Sequence, residues 1–154
     1  MSLVTWLKFA HIVSAMIWIG GGVTLSLIGI RTRQSENPSL IGEFARTLAY
    51  VGLRVLMPAV ISVLVFGIWL TLASTAWRLT QLWILLALGA FALAFIIGAV
   101  YLSRIALALD RLTTHTDFDL QAARDLLGRW IVGYQVVLLI LLFAVWDMVF
   151  KPGL

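Results

Sequence analysis

His11 is the residue whose type and setting point most directly to chemistry. It is an imidazole inside an apolar run, residues 9–30, that contains no Asp, Glu, Lys or Arg. Ionisable side chains in such runs are uncommon and usually face a protein interior, where they mark a ligand, a relay or a pathway. Two readings stand side by side. One is a neutral ring hydrogen-bonded to a neighbouring helix. The other is an axial ligand to haem b, the natural cofactor for a lone histidine in a four-helix membrane bundle. On a helix, His11, Ser14, Ala15, Trp18, Gly21, Gly22, Ser26 and Gly29 share one face, with Lys8 one turn outward. Small residues on that stripe let helices approach closely, as Ala90, Ala94 and Gly98 do further on, so bundle packing accounts for most of it. For a sixth haem ligand, Met148 lies roughly 10 Å of helix rise from the height of His11. Met57 sits towards the opposite end beside Arg54, and Met16 is on the wrong face of the same helix. A haem on His11 is therefore expected to be five-coordinate or shared between two copies.

Other ionisable groups offer less. Asp147 has Lys151 four residues on and Lys8 at similar height, which predicts a rim ion pair, with a propionate or proton contact near His11 as the alternative. Arg54, Tyr101, Arg104, Arg129, Tyr134 and Gln135 are expected to converge at one end, where they would suit an anionic head group or a carboxylate. His115 belongs to a polar tip, residues 113–116. The run Gly20-Gly21-Gly22 is embedded in an apolar helix and cannot act as a nucleotide loop. No paired carboxylates or nucleophile–base pair stand at catalytic spacing, which argues against hydrolase and kinase chemistry. The chain has no cysteine, so disulfide, thiolate and iron–sulfur chemistry are excluded. Met16, Met57 and Met148 form no soft-ligand ladder, which leaves copper or small-solute transport a third choice.

The elements that must hold these groups are set by composition. Of 154 residues, 62% are hydrophobic and 12% charged, about half the charge of an ordinary soluble domain. Such a surface suits lipid rather than water. A membrane span needs about 20 apolar residues, and four stretches qualify, near residues 4–30, 54–76, 81–104 and 130–150. The expectation is a single all-α domain, four transmembrane helices in an antiparallel bundle, because backbone in hydrocarbon must satisfy its own hydrogen bonds. The first run has no basic leader or cleavage pattern and is read as a span, not a signal peptide. Between spans, residues 40–51 repeat apolar side chains at helical spacing opposite Glu43 and Arg46, which predicts an amphipathic connector. A second connector precedes Gly128, capped by Asp117 or Asp119. Each half reads as span, connector, span, and Gly52/Arg54 and Gly128/Arg129 suggest a degenerate repeat.

The net charge of +4 follows topology rather than nucleic acid. Arg31, Arg33, Arg46, Arg54, Arg104, Arg111, Arg124 and Arg129 flank the two long connections, against Lys8, Arg78 and Lys151 on the other side. This bias predicts both connectors in the cytoplasm and both termini on the outer side of the membrane. Trp6, Trp77, Trp83 and Trp146 fall at the outer boundary as an aromatic belt would. A bundle this small, with small-residue seams, is expected to associate as a homodimer or within a larger membrane complex.

Lys8-Phe9-Ala10-His11 with Trp18-Ile19-Gly20-Gly21, and Arg54-Val55-Leu56-Met57-Pro58-Ala59 with Phe66-Gly67, resemble motifs of a bacterial superfamily. It includes the copper-resistance D-like proteins and the four-helix membrane protoporphyrinogen oxidases. From Leu7 to Lys151-Pro152-Gly153 the chain also resembles a group of short predicted integral membrane proteins of unknown function. The resemblance implies haem binding at His11, with Lys8, Trp18 and Arg54 around the cofactor. The departures are equally specific. Residues 83–103 lack the lysine and histidines of the oxidases, and Gly133–Gln135 does not reproduce their Asn-Glu pair, so protoporphyrinogen oxidation is not implied.

Overall fold

The computed structural model describes residues 2–115 and 117–153; Thr116, at the end of the expected polar tip, lies outside them. The described residues form four long helices, α1 (Leu3–Gln34), α2 (Pro38–Ala73), α3 (Leu82–Leu112) and α4 (Leu120–Phe150), each long and apolar enough to cross a membrane. Their starts follow the local sequence. Asn37 accepts the backbone N–H of Ser39 at 3.0 Å with Pro38 in the first turn of α2. Asp119, not Asp117, caps α4 by accepting the N–H groups of Gln121 and Ala122 at 2.9 and 3.1 Å.

The amphipathic connectors are helical, and each continues a spanning helix without a break. α2 runs from the first connector straight into the second span, α3 carries the third span on to Leu112, and α4 begins ten residues before Trp130. These extensions pack together beyond the apolar segments. Ile41, Ala45, Leu109, Ala123 and Leu127, all in or beside them, have no exposed surface. The physical reason is the solvent: hiding apolar surface is driven by water, which lines this end of the bundle, and hydrocarbon gives no comparable push.

α1 packs on α2 and α4, and α3 packs on α4, while α2 and α3 meet through their extensions, residues 38–51 and 103–112, and diverge beyond them. Three sides of the bundle are closed and the fourth is open. Close approach on the closed sides relies on missing side chains. The Tyr134 ring of α4 occupies the space where a Cβ on Gly22 would stand, and its hydroxyl donates to the Trp18 carbonyl at 3.3 Å. Leu56 fills the corresponding notch at Gly21. Much of the small-residue seams is used inside one chain: Gly22, Gly29, Ala90 and Ala94 are all buried within the monomer, whereas Gly98 faces open space.

Two π turns interrupt the α-helical hydrogen bonding. In α2, residues Gly52–Leu56 are π-helical, with Met57 N–H reaching the Gly52 carbonyl. Pro58 has no N–H to offer the Arg54 carbonyl and its ring crowds that carbonyl, so the widened turn absorbs what is otherwise a kink. In α3, Ile97–Leu102 form the second π turn, with Ser103 N–H bonded to Gly98 O and the Ser103 hydroxyl turned back onto the Ala99 carbonyl. Gly128 lies in unbroken α4, so the halves do not repeat one another at the positions the sequence suggested.

Gly22→Ala is expected to lower bundle stability by about 1–3 kcal/mol, the usual range for overpacking. Gly20→Ala and Gly89→Ala, which face open space, should leave stability unchanged or slightly raised. Thermal unfolding of the three variants in detergent checks this order.

Candidate functional site

His11 is held by the α1–α2 seam. Its Nδ1 lies 2.9 Å from the Val63 carbonyl. A carbonyl only accepts, so Nδ1 carries the proton, and in the neutral ring Nε2 keeps its lone pair. Room for the ring comes from Gly67, where a Cβ would stand 3.0 Å from His11 Cε1. Ser14 and Thr71 on the same two helices turn their hydroxyls onto their own helix carbonyls, Ala10 and Gly67, at 2.8 and 3.0 Å. The imidazole thus bridges two helices, and it lines neither of the bundle's two main cavities.

The four residues expected around one cofactor separate into two places. Lys8 stays at the terminal end, its Nζ 5.8 Å from the Trp77 ring centre. Trp18 faces a cavity nearer the other end, and Arg54 is exposed on α2 and does not line that cavity. The expected Asp147 ion pair does not form. Lys151 Nζ lies over Trp77 and Trp83, at 5.1 and 5.7 Å, drawn to the ring faces. Asp147 points inward from α4, fully buried, with neither carboxylate oxygen hydrogen-bonded. Trp83 is also buried, its Nε1 without an acceptor, so it belongs to the core, not to the lipid-facing belt with Trp6 and Trp146.

The open side of the bundle creates a cleft of about 340 Å³ between α2 and α3. Gly52, Leu53 and Leu56 of one π turn form one wall, and Gly98, Ala99 and Leu102 of the other form the facing wall. Trp18, Trp130 and Tyr134 close the back, the last two stacked with centroids 5.2 Å apart. Arg54 follows the lining residue Leu53 directly. It lies eight residues beyond Arg46, so about 12 Å deeper along α2 than that exposed arginine, with Leu53 and Val55 exposed on either side. The wider convergence predicted around it does not occur. Arg54, Arg104, Arg129 and Gln135 are exposed on three different helices, Tyr101 lies against Gly133, and Tyr134 turns into the core.

Chemically, the cleft can hold an apolar body and its flank can hold an anion. Among the described residues no group of three His, Asp or Glu is placed to bind a metal, and the methionines do not gather: Met16 is exposed on α1, Met57 lines the cleft, and Met148 is half-buried on α4. Sequence reasoning missed the cleft, although Pro58 and Gly98 signalled local changes in two helices. It also missed Gly67, the glycine that admits the His11 ring.

Four long apolar helices with a charged, water-facing end define a polytopic membrane protein. Residues 5–152 match the family described as "Predicted integral membrane protein (DUF2269)", and the chain belongs to that family. No curated protein and no solved structure matches it.

Two substitutions test the terminal end. Asp147→Asn breaks no ion pair or hydrogen bond of the carboxylate and is expected to leave the melting temperature unchanged or raised, whereas a paired carboxylate would give a clear loss. His11→Leu removes the donor to Val63 and is expected to cost about 1 kcal/mol, read by thermal unfolding in the same detergent.

Proposed function

We propose that this protein holds a single amphiphile in the cleft between α2 and α3, with the apolar body against Trp18, Trp130 and Tyr134 and an anionic end at Arg54. The observation that carries this reading is the laterally open apolar cavity between α2 and α3, with Arg54, next in sequence to its lining residue Leu53, exposed on the same helix. In a bilayer, a cavity open to the side fills with hydrocarbon chains rather than water, and an arginine at the cytoplasmic start of a span suits an anionic head group. The occupant that satisfies both is a lipid-like molecule with one or more chains and an acidic head. Mobility in the walls is supplied by the π turns, whose looser hydrogen bonding is common at functional sites. The protein sits in a bacterial plasma membrane with both termini outside and the extensions in the cytoplasm, a placement supported by eight of its eleven Lys and Arg residues lying towards the extensions. A homodimer or larger complex would form through the lipid-facing surface, since Gly22, Gly29, Ala90 and Ala94 are buried within the monomer.

Native mass spectrometry of the protein released from membranes, with extraction of what it retains, tests the reading. Gly98→Leu fills open space in the cleft wall and is expected to reduce retained amphiphile on the order of tenfold, with Arg54→Gln giving a smaller loss confined to acidic species. Equal retention by wild type and Gly98→Leu would overturn it.

A second reading is favoured by one observation. With Nδ1 given to Val63, His11 has the tautomer in which Nε2 can ligate a metal. Together with the motif resemblance to the membrane protoporphyrinogen oxidases, this supports haem b on His11, in electron or porphyrin handling. The cleft does not supply a haem pocket for it, since His11 is not among its lining residues, so the porphyrin would stand at the surface of the α1–α2 seam or between two copies. A Soret band on haemin addition that His11→Ala abolishes would establish this reading; a colourless protein removes it.

A further inference from the structure

We propose that the extension end of α1 and α4 carries a phosphate-binding site built on Arg33 and Arg124, separate from the cleft and from His11. A polar cavity of about 400 Å³ opens there, lined by Arg33, Gln34, Glu36, Gln121 and Arg124 among others. Both guanidiniums are held in place by main-chain carbonyls. Arg124 Nη2 donates to Ser35 O at 2.7 Å, just past the end of α1. Arg33 Nε donates to Arg124 O at 3.2 Å. Gly128 permits the second arrangement, since a Cβ there would stand 3.0 Å from Arg33 Cζ.

Two cations are thus positioned from opposite helices with no carboxylate between them. Asp125, the nearest acidic residue on α4, takes its hydrogen bond from Gln121 Nε2 at 3.2 Å instead. Arg124 Nε is buried and has no partner, an arrangement that calls for a missing acceptor. Topology explains why arginines stand at this end, but not why two of them are fixed side by side and one keeps an unused donor.

The geometry selects the ligand. A planar carboxylate is satisfied by one guanidinium fork, whereas a tetrahedral phosphate offers oxygens to both. Glu36 on the cavity wall offsets one of the two positive charges, so a singly charged phosphodiester matches the site better than a polyphosphate. Such a group reaches this end of the bundle as a phospholipid head group or as a soluble phosphate ester.

The detergent-solubilised full chain is titrated with phosphatidylglycerol and, separately, with inorganic phosphate, and bound species are counted by native mass spectrometry. Wild type is expected to bind phosphatidylglycerol about tenfold more tightly than Arg33→Gln, as the loss of one charge-assisted pair predicts. Gln121→Glu places an internal anion in the cavity without removing either arginine, and is expected to weaken binding similarly, at the cost of its hydrogen bond to Asp125. Gly98→Leu, which closes the cleft, should leave this affinity unchanged, so the two proposals fail separately. Displacement of the lipid by inorganic phosphate assigns the site to soluble phosphate, and retention against it assigns the site to a head group. Equal affinity for both ligands in wild type, Arg33→Gln and Gln121→Glu, with all three folded by their melting temperatures, overturns the proposal.

Discussion

Hydrocarbon does not push helices together. A leucine against a lipid chain is as well solvated as a leucine against another helix, so this bundle must be held by shape and by its few internal hydrogen bonds. The central fit is Tyr134 in the notch at Gly22, with its hydroxyl on the Trp18 carbonyl. That contact ties α1 to α4, and the His11–Val63 bond over Gly67 ties α1 to α2. α3 is fastened to α4 in the same manner, where Leu102 and Tyr101 close on Gly133. No comparable notch joins α2 to α3 along their apolar lengths, and that side stays open.

Water acts on only part of the molecule, and the packing changes where it does. The extensions of α2, α3 and α4 are amphipathic and bury Ile41, Ala45, Leu109, Ala123 and Leu127 completely, as a small soluble bundle would. They clamp α2 and α3 together at one end while the apolar segments part, so the cleft lies where a tightly closed region gives way to a loosely closed one. Both π turns fall at this transition. One follows from Pro58, and the other accompanies Gly98 and the back-bonded Ser103. The same transition sets Leu53, the chain neighbour of Arg54, in the wall of an apolar cavity.

Polar groups at the two ends behave differently for the same reason. At the terminal end, Lys8 and Lys151 settle over indole faces and Asp147 is left inside without them. At the extension end, Arg124 is fixed by the Ser35 carbonyl just past the end of α1, and Arg33 by the Arg124 carbonyl within α4. In both places the polar partner is a ring face or a main-chain oxygen, and among the described residues no ion pair fixes these four cations.

Sequence alone determined the class of this molecule: the four apolar runs, the charge asymmetry between their ends, and the helical character of the amphipathic stretches. These are local or compositional properties, set by how each segment partitions between water and hydrocarbon. The fate of particular side chains was decided by tertiary structure. His11 was legible as a buried imidazole, but its partner lies 52 residues away and depends on a glycine whose importance appears only when α1 and α2 touch. Trp18 and Arg54 were expected beside His11 and Lys8, yet the place of Trp18 in a cleft wall, and its separation from His11 and Lys8, depend on which pairs of helices close. Helix pairing is a property of complementary surfaces, and hydropathy, which says that a residue enters the membrane, does not say which neighbour it meets there.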